Sequence, residues 1–123
     1  MLYCAQSISL AVLETGSHVD DSGRPLNKFV VQITVRDAVW NACTSIAAAA
    51  LPATWNAIPA GRASAKVGAE WLASMRSCVL LVPSVIVPEE CVALFDPAHP
   101  DLASCTAVAL RRFEYNALFK AAK

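Results

Sequence analysis

The stretch MLYCAQSISLAVLETGSHV, residues 1–19, decides how this chain reads. Leu2 to Ala5 is a short strand end, and Ser7 stands where a hydroxyl caps a helix. The helix that follows is expected to run to about residue 17, with Gly16 near its C-terminal end. Working outward, VDDSGRPLNK reads as a loop, because Asp20, Asp21, Ser22, Gly23 and Pro25 all favour turns. FVVQITV is β-branched and partly alternating, which predicts a strand over 29–35. Asp37 is placed to cap a helix through VWNACTSIAAAA that Pro52 stops. LPATWNAIPAG is a proline-punctuated loop, and a second helix is expected over about 64–75, with Trp71 and Leu72 on its inner stripe. SCVLLVPS is a short apolar strand ending at Pro83, a position that a proline tolerates only at an edge or strand end. VIVPEE leads out of it, and FDPAHPD is a rigid turn. A last strand centres on 108–113, before a frayed tail. Strands and helices mix without regular βαβ alternation, which means α+β or an irregular α/β arrangement.

Composition narrows the function classes. The 123 residues fit one domain with a real core, and the formal charge is zero at a sequence pI near 6.7. No long-range field therefore steers the chain to nucleic acid or to an anionic membrane. No apolar run reaches the roughly 18–20 residues of a membrane span. The N-terminus lacks the basic start of a signal peptide. Five scattered cysteines, an odd number with no CxxC, fit buried free thiols in a reducing cytoplasm. With only His18 and His99 beside them, no metal-ligand spacing arises. Apolar content is 56%, above the roughly 45–50% of ordinary soluble domains. That excess points to surface covered by a second copy, by a partner or by further sequence.

A few side chains carry chemistry. On a helix Glu14 shares a stripe with Leu10, Ala11 and His18. It is either one half of a surface Glu14–His18 pair or a half-buried carboxylate facing a cleft, and its apolar stripe favours the second. Tyr3, at the strand end before that helix, either lines the same cleft or is core. Ser84 follows a strand and a proline, so its hydroxyl sits at the mouth of the sheet, or else bonds its own backbone as a turn residue. No GxSxG elbow surrounds it, and there is no P-loop or GxGxxG. Arg24 reads as solvated, Asp96 and His99 as braces of their turn, and Arg111 and Arg112 as charges on a wet strand face.

Taken together, these stretches resemble a known family. LYCAQSISLAVLETGSH is similar to the segment of RES-domain proteins that runs from a tyrosine through a polar helix start to a glutamate eleven residues on. LLVPSVIVPEECVALFDPAHPD resembles their later signature, an apolar strand into Val-Pro-Ser and then a turn of the Asn-Pro-x-His-Pro type. LPATWNAIPAG and VGAEWLASM resemble the intervening elements, so the likeness spans residues 2 to about 118.

The resemblance implies an α+β fold like that of ADP-ribosyltransferases, a small mixed sheet with flanking helices. It implies the toxin half of a bacterial toxin–antitoxin pair, consuming NAD by hydrolysis, phosphorolysis or transfer to a protein, without a metal. Its antitoxin would carry a helix-turn-helix module and block the site. Carried over by motif, the catalytic residues would be Glu14 and Ser84, and the cofactor-binding tyrosine would be Tyr3. Glu14 would stabilise the cationic ribose, Tyr3 would stack on nicotinamide, and Ser84 would either bond the dinucleotide or position Glu14. The family's arginine belongs on a strand upstream of Tyr3. The resemblance therefore implies that residues 1–123 are a single partial domain whose N-terminal strand region is absent. Val92 and Asp96 stand where the later signature has asparagines, and YNAL replaces a closing Tyr-Asp-Pro-Arg. The alternative is a catalytically inactive module that only binds an antitoxin or itself.

Overall fold

The computed structural model describes residues 1–16, 28–51, 53 and 62–114. The loop expected over 19–28 (apart from Lys28), Arg24, His18 and the tail after Glu114 lie outside the described residues.

Among the described residues, six strands and three α-helices follow in the order β1 (Leu2–Ala5), α1 (Ile8–Gly16), β2 (Lys28–Thr34), α2 (Asp37–Asn41), β3 (Thr44–Ser45), α3 (Arg62–Ser74), β4 (Val79–Pro83), β5 (Cys91–Phe95) and β6 (Thr106–Phe113). Four of the strands form one mixed sheet in the order β1-β5-β4-β3, and β2 pairs with β6 as a separate two-stranded ribbon. All pairings are antiparallel except β3 with β4. This is an α+β fold, as the sequence predicts.

Register assigns the two faces of the sheet. Tyr3 pairs with Leu94, Leu94 with Leu80, and Leu80 with Thr44, so these four side chains share one face. Leu80 and Leu94 pack there against Trp71 of α3, with Leu72, Val82 and Val92 around them. The opposite face presents Val79, Ala93 and Phe95, which pack against Val39 of α2 and against Ile33 and Val35 at the end of β2. β4 is therefore covered on both sides, which is why CVLLV reads as an unbroken apolar run rather than an alternating one. Pro83 ends β4 opposite Cys91, the strand-end position expected of it.

Two expectations fail. The helix starting near Asp37 does not reach Pro52: Arg36 is its N-cap, and it ends at Asn41. The chain then turns, with Cys43 N–H on Trp40 C=O at 3.1 Å, and enters β3, where Ile46 N–H reaches Leu81 C=O at 3.0 Å. Only Ala48–Ala50 coil, as one 3-10 turn. Alanine favours helix, but helices in proteins draw most of their stability from packing. Here the Thr44 hydroxyl, 2.7 Å from that of Ser77, and the free edge of β4 offer more. The second miss is β5. Residues 91–95 form a central strand between β1 and β4, buried from Ala93 to Phe95, where the sequence reading assigns no strand between VIVPEE and the FDPAHPD turn.

Candidate functional site

The first half of the site is built by α1. Ser7 caps it as expected: its Oγ accepts Leu10 N–H at 3.1 Å, and its carbonyl accepts Ala11 N–H at 3.1 Å. Leu10 is 2% exposed and anchors the helix. Glu14 lies four residues on, along the same stripe, and is half-buried.

The second half is the turn after β4. Pro83 ends the strand, and Ser84 N–H donates to Glu90 C=O at 2.8 Å, closing the loop between them. Ser84 is 1% exposed. Its Oγ accepts Ile86 N–H at 3.1 Å and Val87 N–H at 3.0 Å. The same Oγ donates a hydrogen bond to Glu14 Oε1, joining residues 70 apart in sequence. Ser84 is thus the turn residue that one reading expects, and its hydroxyl also meets the acid of α1.

Tyr3 is on the strand that leads into α1. It lies in β1 on the sheet face shared with Leu94, and it is 73% exposed, so it is not core. Its phenol ring is open to whatever approaches that edge.

The residues read as braces do brace. Asp96 Oδ1 accepts Ala98 N–H at 2.9 Å, and His99 Nδ1 accepts Asp101 N–H at 3.1 Å. Asp96 is buried, and its Oδ2 has no hydrogen-bond partner among the described residues. Arg111 and Arg112 are exposed; Arg112 Nε lies 3.3 Å from Glu114, and the Arg111 guanidinium lies over the Phe113 ring. All five cysteines are free. Burial pushes the Cys78 thiol up to about 11, with Cys105, Asp101 and Asp96 adding to the shift, and burial raises Cys4 as well. Among the described residues no group of three or more His, Cys, Asp or Glu side chains could hold a metal ion. No helix there is long and apolar enough to cross a membrane.

The Ile86 and Val87 amides bear out the turn reading of Ser84, as a serine entering a turn commonly takes N–H groups two and three residues on; what the sequence does not show is that the two amides bind the same oxygen that donates to Glu14.

An exposed aromatic on an edge strand, a helix-borne acid and a strand-end serine now stand on one α+β frame. The RES domain family model matches residues 1–116, and the chain belongs to that family. It is 44% identical over 116 residues to the Prs ADP-ribosylating toxin of Sphingobium sp. (strain YBL2), covering 94% of this chain and 72% of that protein. It is 36% identical over 104 residues to Toxin Res of Yersinia enterocolitica, covering 85% of this chain and 66% of the relative. A Toxin Res from Photorhabdus laumondii is 33% identical over 100 residues, covering 81% and 62%. The chain thus spans between about three fifths and three quarters of the length of these relatives.

Proposed function

We propose that this chain carries the reacting end of a toxin that cleaves the nicotinamide–ribose bond of NAD. The observation that carries the reading is the hydrogen bond from Ser84 to Glu14, which joins two distant motifs at one point. The similarity to a protein named an ADP-ribosylating toxin supports NAD as the substrate, with a protein side chain, water or phosphate as acceptor.

The chemistry suits the groups. When the N-glycosidic bond breaks, its electron pair leaves with nicotinamide, which departs neutral. Positive charge develops on the ribose ring. A fixed carboxylate at Glu14 stabilises that oxocarbenium-like centre, and afterwards orients the nucleophile that forms the new bond to the anomeric carbon. A neutral leaving group needs no strong general acid. Tyr3, with its ring exposed, stacks on the nicotinamide. No metal enters the scheme.

The partner in this reading is an antitoxin with a helix-turn-helix module that blocks the site; direct contact of this chain with nucleic acid or membrane is not part of it. The compartment is the cytoplasm, in keeping with five free cysteines. The test is incubation with NAD and measurement of free nicotinamide, with Glu14→Gln as control. Release that falls by about a hundredfold or more in the variant supports the reading, in the range of lost transition-state charge stabilisation; no release by the wild-type chain overturns it.

A second reading, a module that only binds an antitoxin or itself, draws on exposed apolar side chains such as Phe29, Val31, Val108 and Leu110 on the β2–β6 ribbon. It expects no nicotinamide release and an elution volume that shifts with concentration on size exclusion. A monomer at every concentration counts against its self-association arm.

A further inference from the structure

Resting on the NAD-cleaving reading, we infer that Ser84 makes no contact with the dinucleotide and is a positioning residue whose hydroxyl proton is held on Glu14 by the Ile86 and Val87 amides. The argument is one of valence. A serine hydroxyl has one hydrogen to donate and two lone pairs to accept with. Ile86 N–H and Val87 N–H, at 3.1 and 3.0 Å, occupy both lone pairs. The hydrogen has one direction left, and Glu14 Oε1 lies along it. All the bonding capacity of the hydroxyl is used within the protein, and the residue is 1% exposed.

The arrangement also sets the direction of the bond. With both lone pairs taken by amides, the serine oxygen cannot accept a proton from Glu14. Oε1 is therefore held as the acceptor, whatever approaches the acid from outside. The turn that supplies the two amides is closed by Ser84 N–H on Glu90 C=O at 2.8 Å and Glu90 N–H on Val87 C=O at 2.9 Å. Turn amides donate to the hydroxyl and the hydroxyl donates to the carboxylate, and only that last acceptor faces substrate. Preorganised donors of this kind cost no reorganisation when the reaction occurs.

The test is steady-state nicotinamide release by wild type, Ser84→Ala, Glu14→Gln and the double variant. Ser84→Ala is expected to lower kcat by about ten- to a hundredfold and leave KM for NAD within about twofold, the pattern of a lost transition-state interaction. In the Glu14→Gln background the same substitution is expected to change kcat by less than about twofold, because residues acting as a unit are not additive. A tenfold rise in KM, or a full further loss in the Glu14→Gln background, overturns the inference while leaving the proposed activity standing. No release by the wild type overturns the proposed activity and this inference with it. Should Ser84→Ala fail to fold, Ser84→Cys keeps the size with a weaker donor and carries the same expectations. Hydrogen exchange on the wild type adds a readout free of turnover: the Ile86 and Val87 amides stay protected when a non-cleavable NAD analogue is bound. Their deprotection on binding would show the serine turning to the ligand and overturn the inference.

Discussion

Ser77→Ala tests how the sheet that presents Ser84 is held. Ser77 precedes β4 and is 3% exposed. Its Oγ accepts Trp71 Nε1–H at 3.0 Å, donates to Val79 C=O at 2.9 Å and lies 2.7 Å from Thr44 Oγ1. One hydroxyl thus ties α3 and β3 to β4. Removing it leaves the indole N–H of Trp71, itself 6% exposed, without that acceptor, at about 1–3 kcal/mol for a buried orphaned donor. The lost bonds to Val79 and Thr44 add about 0.5–1.5 kcal/mol each, less what the half-buried Thr44 recovers by turning. The expected loss is about 2–4 kcal/mol, read by urea or thermal unfolding, or roughly 8–16 °C at about 4 °C per kcal/mol for a domain of this size. Trp71→Phe supplies the control. With the indole N–H already gone, Ser77→Ala is expected to cost about 1–2 kcal/mol less, because deleting both partners spares the orphan. A single-variant loss under about 0.5 kcal/mol, or additive effects in the double variant, would refute this account of how α3 is pinned.

Further expectations follow from burial and backbone. Leu80 is fully buried between α3 and the sheet, so Leu80→Ala is expected to cost about 2–5 kcal/mol in denaturant unfolding. Met75 follows the end of α3 with φ of 51°, and its side chain is exposed, so Met75→Gly is expected to raise the stability by a few tenths to about 1 kcal/mol in denaturant unfolding. A drop instead would mean that Met75 packing outweighs the backbone strain. Cys78 is expected to resist thiol reagents in the native protein at pH 8 and to react on unfolding. Its folded value near 11 stands above the ordinary 9.0, so above pH 9 the unfolded chain sheds the proton first. Stability is present in full below pH 9 and declines as pH climbs towards 11; Cys78→Ala flattens that decline in pH-dependent unfolding.

Some of this was legible in sequence and some was not, for physical reasons. α1 could be read because a capping serine, an apolar stripe and a terminal glycine agree locally. β4 could be read because a strand covered on both faces is a plain apolar run with a proline at its end. Residues 42–50 misled because alanine propensity is a weak prior, and the pairing of Thr44 and Ser45 with Leu80 and Leu81 is invisible in a local window. β5 was lost because five apolar residues between a turn and a turn have no period of their own. The Glu14–Ser84 contact spans 70 residues. No spacing rule reaches that far, and the family resemblance offers it only as one of two alternatives for Ser84.

What aims the acid is nonetheless local. Successive residues on a helix are rotated by about 100°, so a side chain one position away from 14 would point well off the line to Ser84. The phase of α1 is set at its start by the Ser7 cap on Leu10 and by burial of Leu10 itself. Glu14 follows one turn later on the same stripe, which is why a carboxylate interrupts an apolar run there. The serine is fixed from the other side by a strand end, a proline and two amides. A half-buried carboxylate without a donor would carry a desolvation cost, and a buried hydroxyl with both lone pairs taken needs an acceptor. Ser84 Oγ–H contributes one donor to Glu14, and Glu14 Oε1 is the acceptor that the serine needs, so the pair is stable as it stands as well as suited to the proposed chemistry.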